Sequence, residues 1–285
     1  MEGPVEITRA LETILDSHGY GFQYAVLATA ERLFDPNTLG GSRWRLPIAE
    51  FPVEVKGAHS HIDVILQHCL RPMIMVGECK RANPALRNWC FLRAPYREEA
   101  SLATSVFVEE LVWSDSGDPS CRVATLFNSP NIYHLGIEVK SSEKGNPCDK
   151  GRGAIEEAAT QVMRCTNGFV EFLKLSERAR QEKKRIQLLP VIFTTARIWV
   201  SQANLGHADR LTGRLDLTQF PVEERPWVFL HYSQSPGLKH SLPATRQNSH
   251  DNLLIDALYA DYVRTIGIVT AIGIEDFLRM GHWTP

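Results

Sequence analysis

The sequence predicts a mixed α/β fold, and three observations predict it. Apolar residues recur at helical spacing near the amino terminus (Val5, Leu11, Ile14, Leu15, then Phe22, Val26 and Leu33) and again in Ile155, Ala158, Ala159, Val162, Met163, Phe169 and Val170. Short β-rich runs fill most of the remainder, bounded by Gly, Pro, Ser and Asp turn signals. The 285-residue chain is 44% hydrophobic and 22% charged, which suits a sizeable core and argues against a disordered or fibrous class.

In chain order, residues 5–34 read as helix, break, helix, with Gly19 and Gly21 marking the break. A Pro/Gly-rich connector over 35–47 leads to FPVEVKG, a strand, and a turn at 58–60. Then comes HIDVILQHCLRPMIMVGECK, residues 61–80, two β-rich runs joined at Leu70-Arg71-Pro72. Strand alternation puts His61, Asp63 and Ile65 on one side, and Ile62, Val64 and Leu66 on the other. It also groups Val76, Glu78 and Lys80, on a run apolar enough to be buried.

Beyond Lys80, Asn83-Pro84 ends the strand and a loop or short helix is expected to follow; Arg81, Arg87, Arg93 and Arg97 of this stretch interleave with Trp89, Phe91 and Tyr96. That composition suits phosphate contact and base stacking as well as an amphipathic cover. SVFVEELVW and CRVATLF, split by SDSGDPS, read as an inserted hairpin. YHLGIEVKSS is a strand carrying a second Glu-x-Lys, Glu138 and Lys140. A long helix from about 153 follows, then β-rich IQLLPVIFTTARIWVSQ. Residues 203–225 are a polar connection, PWVFLHYSQ is a strand, and 235–249 are loop. A helix over about 251–263, the apolar strand TIGIVTAIG and a short helix IEDFLRM close the chain. The expectation is one elaborated domain, 1–285: a core at about 20–200, an insertion at about 93–148, and a C-terminal α/β extension at about 203–285.

A net charge of -2 does not advertise nucleic-acid binding, although a local basic strip works within a neutral total. Six cysteines without a CxxC pair or zinc spacing fit free thiols in a reducing cytoplasm. No signal-peptide pattern or bilayer-length apolar run is present, which argues against secretion and membrane insertion. P-loop, dinucleotide, G-x-S-x-G and HExxH patterns are absent. Cys79 beside Lys80 invites a nucleophile reading, but alternation turns the thiol into the core.

The chemistry concentrates at Asp63, Glu78 and Lys80. Charges at the end of a core strand are costly unless paired or metal-bound. Two carboxylates and the Cys79 main-chain carbonyl make an oxygen set for Mg²⁺ or Mn²⁺, with Lys80 beside the water that would attack a phosphodiester.

His61-Ile62-Asp63, fourteen residues, then Glu78-Cys79-Lys80 resembles the PD-(D/E)XK nuclease superfamily, with His-Ile-Asp where that family often has Pro-Asp. The resemblance implies a restriction-endonuclease-like core, a mixed central sheet flanked by helices, ordered helix, three strands, helix, strand. It implies Asp63, Glu78 and the Cys79 carbonyl as metal ligands, and Lys80 as the group that positions or activates water. Gln23 stands where the superfamily's first helix often carries a glutamate, and Gln161 falls in the helix that often carries a glutamine. Glu12 and Glu31 are alternative sources of the missing acid. His61, Arg81, Arg87 and Trp89 are candidate nucleic-acid contacts. The substrate implied is a nucleic acid, DNA first, with a homodimer or partner protein for cutting two strands.

Three readings compete. One is this nuclease; a second is a non-catalytic nucleic-acid-binding or assembly subunit of the same fold, which Gln23 favours. The third is a structural ion pair between Asp63 and Lys80. Within the nuclease reading, Glu138-Lys140 is a rival motif, but its nearest acid, Asp118, sits in a turn rather than on a strand.

Overall fold

The computed structural model describes residues 4–38, 40–55, 57–83, 87–93, 104–139, 153–182, 185–218, 220–233 and 262–280. Two helices, α1 (Pro4–His18) and α2 (Tyr20–Leu33), precede strands β1 (Trp44–Val55), β2 (Ala58–His68), β3 (Met73–Lys80) and β4 (Asn88–Arg93). Next come β5 (Ser105–Trp113), β6 (Pro119–Asn128), β7 (Ile132–Tyr133) and β8 (Leu135–Val139), then α3 (Gly153–Leu175) and α4 (Glu177–Glu182). The last elements are β9 (Arg185–Thr194), β10 (Arg197–Asn204), β11 (Val222–Arg225), β12 (Trp227–Ser233), β13 (Val263–Thr270) and helix α5 (Ile274–Leu278). The expected helix over about 251–263 falls almost wholly outside the described residues.

Among the described residues the strands make two sheets. The larger, mixed sheet runs β1-β2-β3-β9-β13-β12-β7, with the β5-β6 hairpin attached to β9; the smaller runs β11-β10-β4-β8. Strand β9 reads as an apolar run because it is covered on both faces: Leu188, Val191, Ile192 and Phe193 are all fully buried. On one face α2 and α5 bring Val26, Leu27, Ala30, Leu33, Phe277 and Leu278 against Val64, Met75, Val191 and Phe229. On the other, α3 lies between the sheets. Its first half packs Ala158, Val162 and Met163 among Trp89, Ile198 and Ile268. Its second half packs Phe169, Val170 and Leu173 against Val53, Ile65 and Val76.

The mixed α/β class is the expected one: α2, β1, β2 and β3 follow one another, the Leu70-Arg71-Pro72 turn joins β2 to β3, and β4 to β8 intervene before α3 and β9. The expected hairpin forms over 105–128, and residues 109–112 of β5 pair antiparallel with 185–188 of β9, so that it joins the sheet. Three expectations are corrected. The C-terminal segment is not packed on the sheet but enters it: β13 lies between β9 and β12, and all eight of its residues are buried. The segment after Asn83 enters strand β4 rather than a loop or short helix, pairing parallel with β10. Finally, strict alternation fails on β2. Ile62 packs into the α3-side core, whereas Val64 packs into the α2-side core. On the paired strand Ala49 and Phe51 divide in the same way. The cause is local: Glu50, between them, has φ 54, the left-handed region, and turns the strand over.

Arg264 of β13 and Glu109 of β5 form an ion pair at 2.7 Å with side chains 1% and 2% exposed, and the Cys121 thiol donates to the other Glu109 oxygen at 3.3 Å. Fixing the hairpin to the sheet through a buried pair makes each partner costly to remove alone. Arg264→Met should therefore cost about 3–5 kcal/mol, read from the urea midpoint, and adding Glu109→Leu should return most of it. Equal midpoints for wild type and Arg264→Met would refute that role.

Candidate active site

The cross-strand registers converge on three carboxylates. Strands β1 and β2 pair Ala49 with Val64 and Phe51 with Ile62, so Glu50 falls opposite Asp63. Strands β2 and β3 pair Ile65 with Val76 and Val64 with Gly77, and one further step in that register brings Asp63 opposite Glu78. Glu50, Asp63 and Glu78 thus form a rank across three neighbouring strands. They line one cleft of about 520 Å³ together with Gly19, Tyr20, Gln23, Ser60, His61, Cys79, Lys80, Arg81 and Gln161.

Each acid is held differently. Asp63 accepts the Cys79 main-chain N–H on Oδ2 at 2.7 Å. Glu78 is only 4% exposed, and its Oε2 is buried without a hydrogen-bond donor. Gly77 matters to this placement, because a Cβ there would press on Val64 and Phe193 at 3.0 Å each. Glu50 is solvent-exposed and is the one non-glycine residue with positive φ among the described residues, a strain of about 1–3 kcal/mol.

Gln23, on the first turns of α2, is 5% exposed. Its Nε2 donates to Glu50 Oε1 at 2.6 Å and to the Asp63 carbonyl at 3.4 Å, so the amide spends both of its N–H groups on acceptors. A carboxylate at 23 would stand against the Glu50 carboxylate. Gly19, at φ 75, makes the turn that separates α1 from α2 and aims the start of α2 at the cleft.

Lys80 Nζ pairs with Glu157 of α3 at 2.8 Å. An Asp63–Lys80 structural pair is therefore not formed; the lysine's partner is an exposed glutamate on the facing helix.

Burial sets the electrostatics. It pushes Glu78 up to about 9, with the neighbouring Asp63 charge adding to the rise and Lys80 opposing it. Asp63 is raised to about 6, again chiefly by burial, with Glu50 adding and the Cys79 amide opposing. The Cys79 thiol is raised well above its ordinary value by burial, and it packs with the α2-side core, which disposes of it as a nucleophile.

Of the candidates from sequence, Asp63, Glu78, Cys79, Lys80, Gln23, Gln161, His61 and Arg81 share the cleft. Two do not. Trp89 is fully buried against α3 and has no face for a base. Arg87 is exposed just before β4, outside the cleft lining. Glu12 and Glu31 are exposed and absent from the lining. Glu138 has a different occupation: its Oε1 caps α3 by accepting the Ala154 and Ile155 N–H groups. Lys140 and residues 94–100, with Tyr96 and Arg97, lie outside the described residues. Glu50 was missed because the strand legible in the sequence, FPVEVKG, begins at Phe51 and leaves Glu50 between it and the connector.

Among the described residues no three His, Cys, Asp or Glu side chains close on one ion. A cation here would draw on two carboxylates at most, with main-chain oxygen and water completing its shell. The unpartnered Glu78 oxygen, beside Asp63, fits that use. No family model, curated protein or solved structure matches the chain.

Because both carboxyls are raised, the folded chain holds protons that the unfolded chain releases. Stability without divalent cation should fall as pH climbs from about 4 through 6 for Asp63, and from 4.5 to about 9 for Glu78. Thermal midpoints in EDTA across that range should show the decline, and Glu78→Gln should flatten its alkaline part. A midpoint indifferent to pH between 5 and 9 in both proteins would contradict the buried-carboxyl account.

Proposed function

We propose that the chain is a metal-dependent nuclease that hydrolyses phosphodiester bonds, with DNA as the substrate. The observation that carries the reading is the meeting of Asp63, the buried and half-unpartnered Glu78, and Lys80 in one open cleft where β3 ends. The resemblance of His61-Ile62-Asp63 and Glu78-Cys79-Lys80 to the PD-(D/E)XK pattern supports it, as does the succession α2, β1, β2, β3, with α3 and β9 following after the intervening strands β4 to β8.

Asp63, Glu78 and the Cys79 carbonyl would hold Mg²⁺ or Mn²⁺, which supplies Lewis-acid polarisation of the phosphate and eases proton loss from the attacking water. Asp63 is kept in position by the Cys79 amide. Lys80, steadied by Glu157, orients the attacking water and offsets the charge that builds on the phosphoryl oxygens. The water oxygen bonds to phosphorus, the ester P–O bond breaks, and the departing oxygen takes up a proton. Gln161 borders the same space, and exposed His61 and Arg81 stand at its rim as phosphate contacts. Gln23 donates to Glu50, a neighbouring carboxylate that carries the negative charge the amide lacks.

The test is cleavage of supercoiled plasmid and single-stranded DNA with Mg²⁺, Mn²⁺ or EDTA. Glu78→Ala and Lys80→Ala should each lower the metal-dependent rate about 100-fold or more. Glu138→Ala should keep the rate and lose about 0.5–2 kcal/mol of stability as a helix cap. A wild type that binds these DNAs without cutting them would favour the non-catalytic binding subunit, and cutting unaffected by Glu78→Ala would place the chemistry elsewhere.

A further inference from the structure

We propose that the nucleic acid this cleft takes is a single strand of DNA, whose unpaired bases stack on Tyr20 and Tyr24 of α2. The inference rests on the nuclease reading of the cleft and deepens it by naming the strandedness of the substrate.

Charge narrows the choice first. Duplex DNA shows its phosphates and keeps its bases stacked inside, so a protein grips it chiefly through several lysines and arginines. Among the described residues, the fixed cations that border the cleft and the adjoining hollow sharing Gln161 with it are Lys80, Arg81 and Arg164. Glu50, Glu156 and Glu157 stand among them, and Lys80 is already paired with Glu157. A divalent cation at Asp63 and Glu78 would offset only the two acids that hold it. The grip on a substrate must therefore come largely from something other than phosphate contact.

Aromatic rings supply it. Of the described Phe, Tyr and Trp side chains, Tyr20, Tyr24 and Phe172 alone are exposed, and two of the three stand together on α2. Tyr20, 41% exposed, lines the cleft; Tyr24, 59% exposed, follows it at i+4, about 6 Å along the same face of the helix. The helix also keeps that face clear. Gly21, Ala25 and Ala28, the exposed positions of α2 nearest Tyr24, carry nothing taller than a methyl group.

The placement gives a strand a continuous path. Gly19, the residue before Tyr20, lies close beside Arg81: a Cβ built on it would stand 3.7 Å from the Arg81 Cβ. Arg81 in turn follows Lys80 at the end of β3. With the scissile phosphate at Lys80, the next phosphate meets Arg81, and the bases beyond it turn onto Tyr20 and then Tyr24. A base within a duplex has no face to offer a tyrosine, whereas an unpaired base has one whatever its identity.

The experiment uses the 285-residue chain, a fluorescently labelled oligothymidine, and the same strand annealed to oligodeoxyadenosine. Binding is read by anisotropy in Ca²⁺, and cleavage of both in Mg²⁺. The single strand should bind about 10-fold or more tighter than the duplex, and Tyr20→Leu and Tyr24→Leu should each weaken it about 10-fold. Tyr20→Phe and Tyr24→Phe should keep most of the affinity, because the ring face and not the hydroxyl does the stacking. With so few phosphate contacts, affinity should fall less than about 10-fold between about 50 and 200 mM salt. Duplex bound as tightly as single strand, or leucine variants that bind like wild type, would overturn the platform; metal-dependent cutting in the same samples would leave the nuclease reading standing. Single strand bound through both tyrosines but never cut would uphold the platform and sink the nuclease reading. Neither DNA bound nor cut would remove both.

Discussion

Eight consecutive rungs of parallel pairing, Met73 with Gln187 through Lys80 with Thr194, tie β3 to β9, and the rest of the molecule depends on that ladder. Parallel strands side by side need cover on both faces, which α2 and α5 provide on one side and α3 on the other. Four of the five residues of β3 that precede Glu78 are buried, and the strand carries Glu78 in with them. The apolar packing that makes the sheet stable is the same packing that strips water from this carboxylate and raises its affinity for a proton. Fold and site therefore share one cause. The strand β9 also explains why the hairpin and the C-terminal strand became core: β5 takes the first half of its free edge and β13 takes the second half.

The second constraint lies at Glu50. A strand whose residues alternated faithfully would send Ala49 and Phe51 to one core and leave the other without material. The left-handed residue between them lets β1 serve both, Ala49 toward α2 and Phe51 toward Phe169 and Phe172 of α3. Its partner β2 follows the same change at Asp63. The two residues at which the strands change faces are both carboxylates, and both open on the cleft. Backbone strain of this sort is kept where a function or the surrounding packing over-determines it, and here the two cores that β1 serves supply the packing.

Much of this was legible in the sequence for plain reasons. The break at Gly19, the period-2 runs flanking Leu70-Arg71-Pro72 and the broad apolar face of α3 are local patterns, and each produced the element it announces. What was not legible depended on register and on partners far along the chain. The sequence pattern puts the first turn at 58–60, but Val55 pairs with Ala58 across a turn containing Gly57, at φ 79. Counted back from the true turn, Glu50 meets Asp63; counted from the assumed one, it meets nothing of interest. Arginines and aromatics from 87 to 93 mimic a stacking platform, yet Trp89 and Phe91 are the inward half of an alternating strand whose second sheet no local signal foretold.

The charges favour the proposed chemical use of the cleft over a structural one. Were the cluster only a neutralised ion network, evolution of a stable core would pair the lysine with the buried acid, because an unpaired buried charge is what costs most. The arrangement is the reverse. Lys80 reaches outward to Glu157, whose side chain is 66% exposed and would lose little by ionising in water alone. Glu78, the acid most in need of a partner, is left with an empty oxygen. Elsewhere the same chain solves that problem without difficulty, at Glu109 with Arg264 and at Glu110 with Arg122 and Gln187. On the proposed metal-dependent reading, a protein that satisfies its other buried glutamates leaves this one open, at the mouth of a cleft beside two more carboxylates, for a cation that arrives from solution.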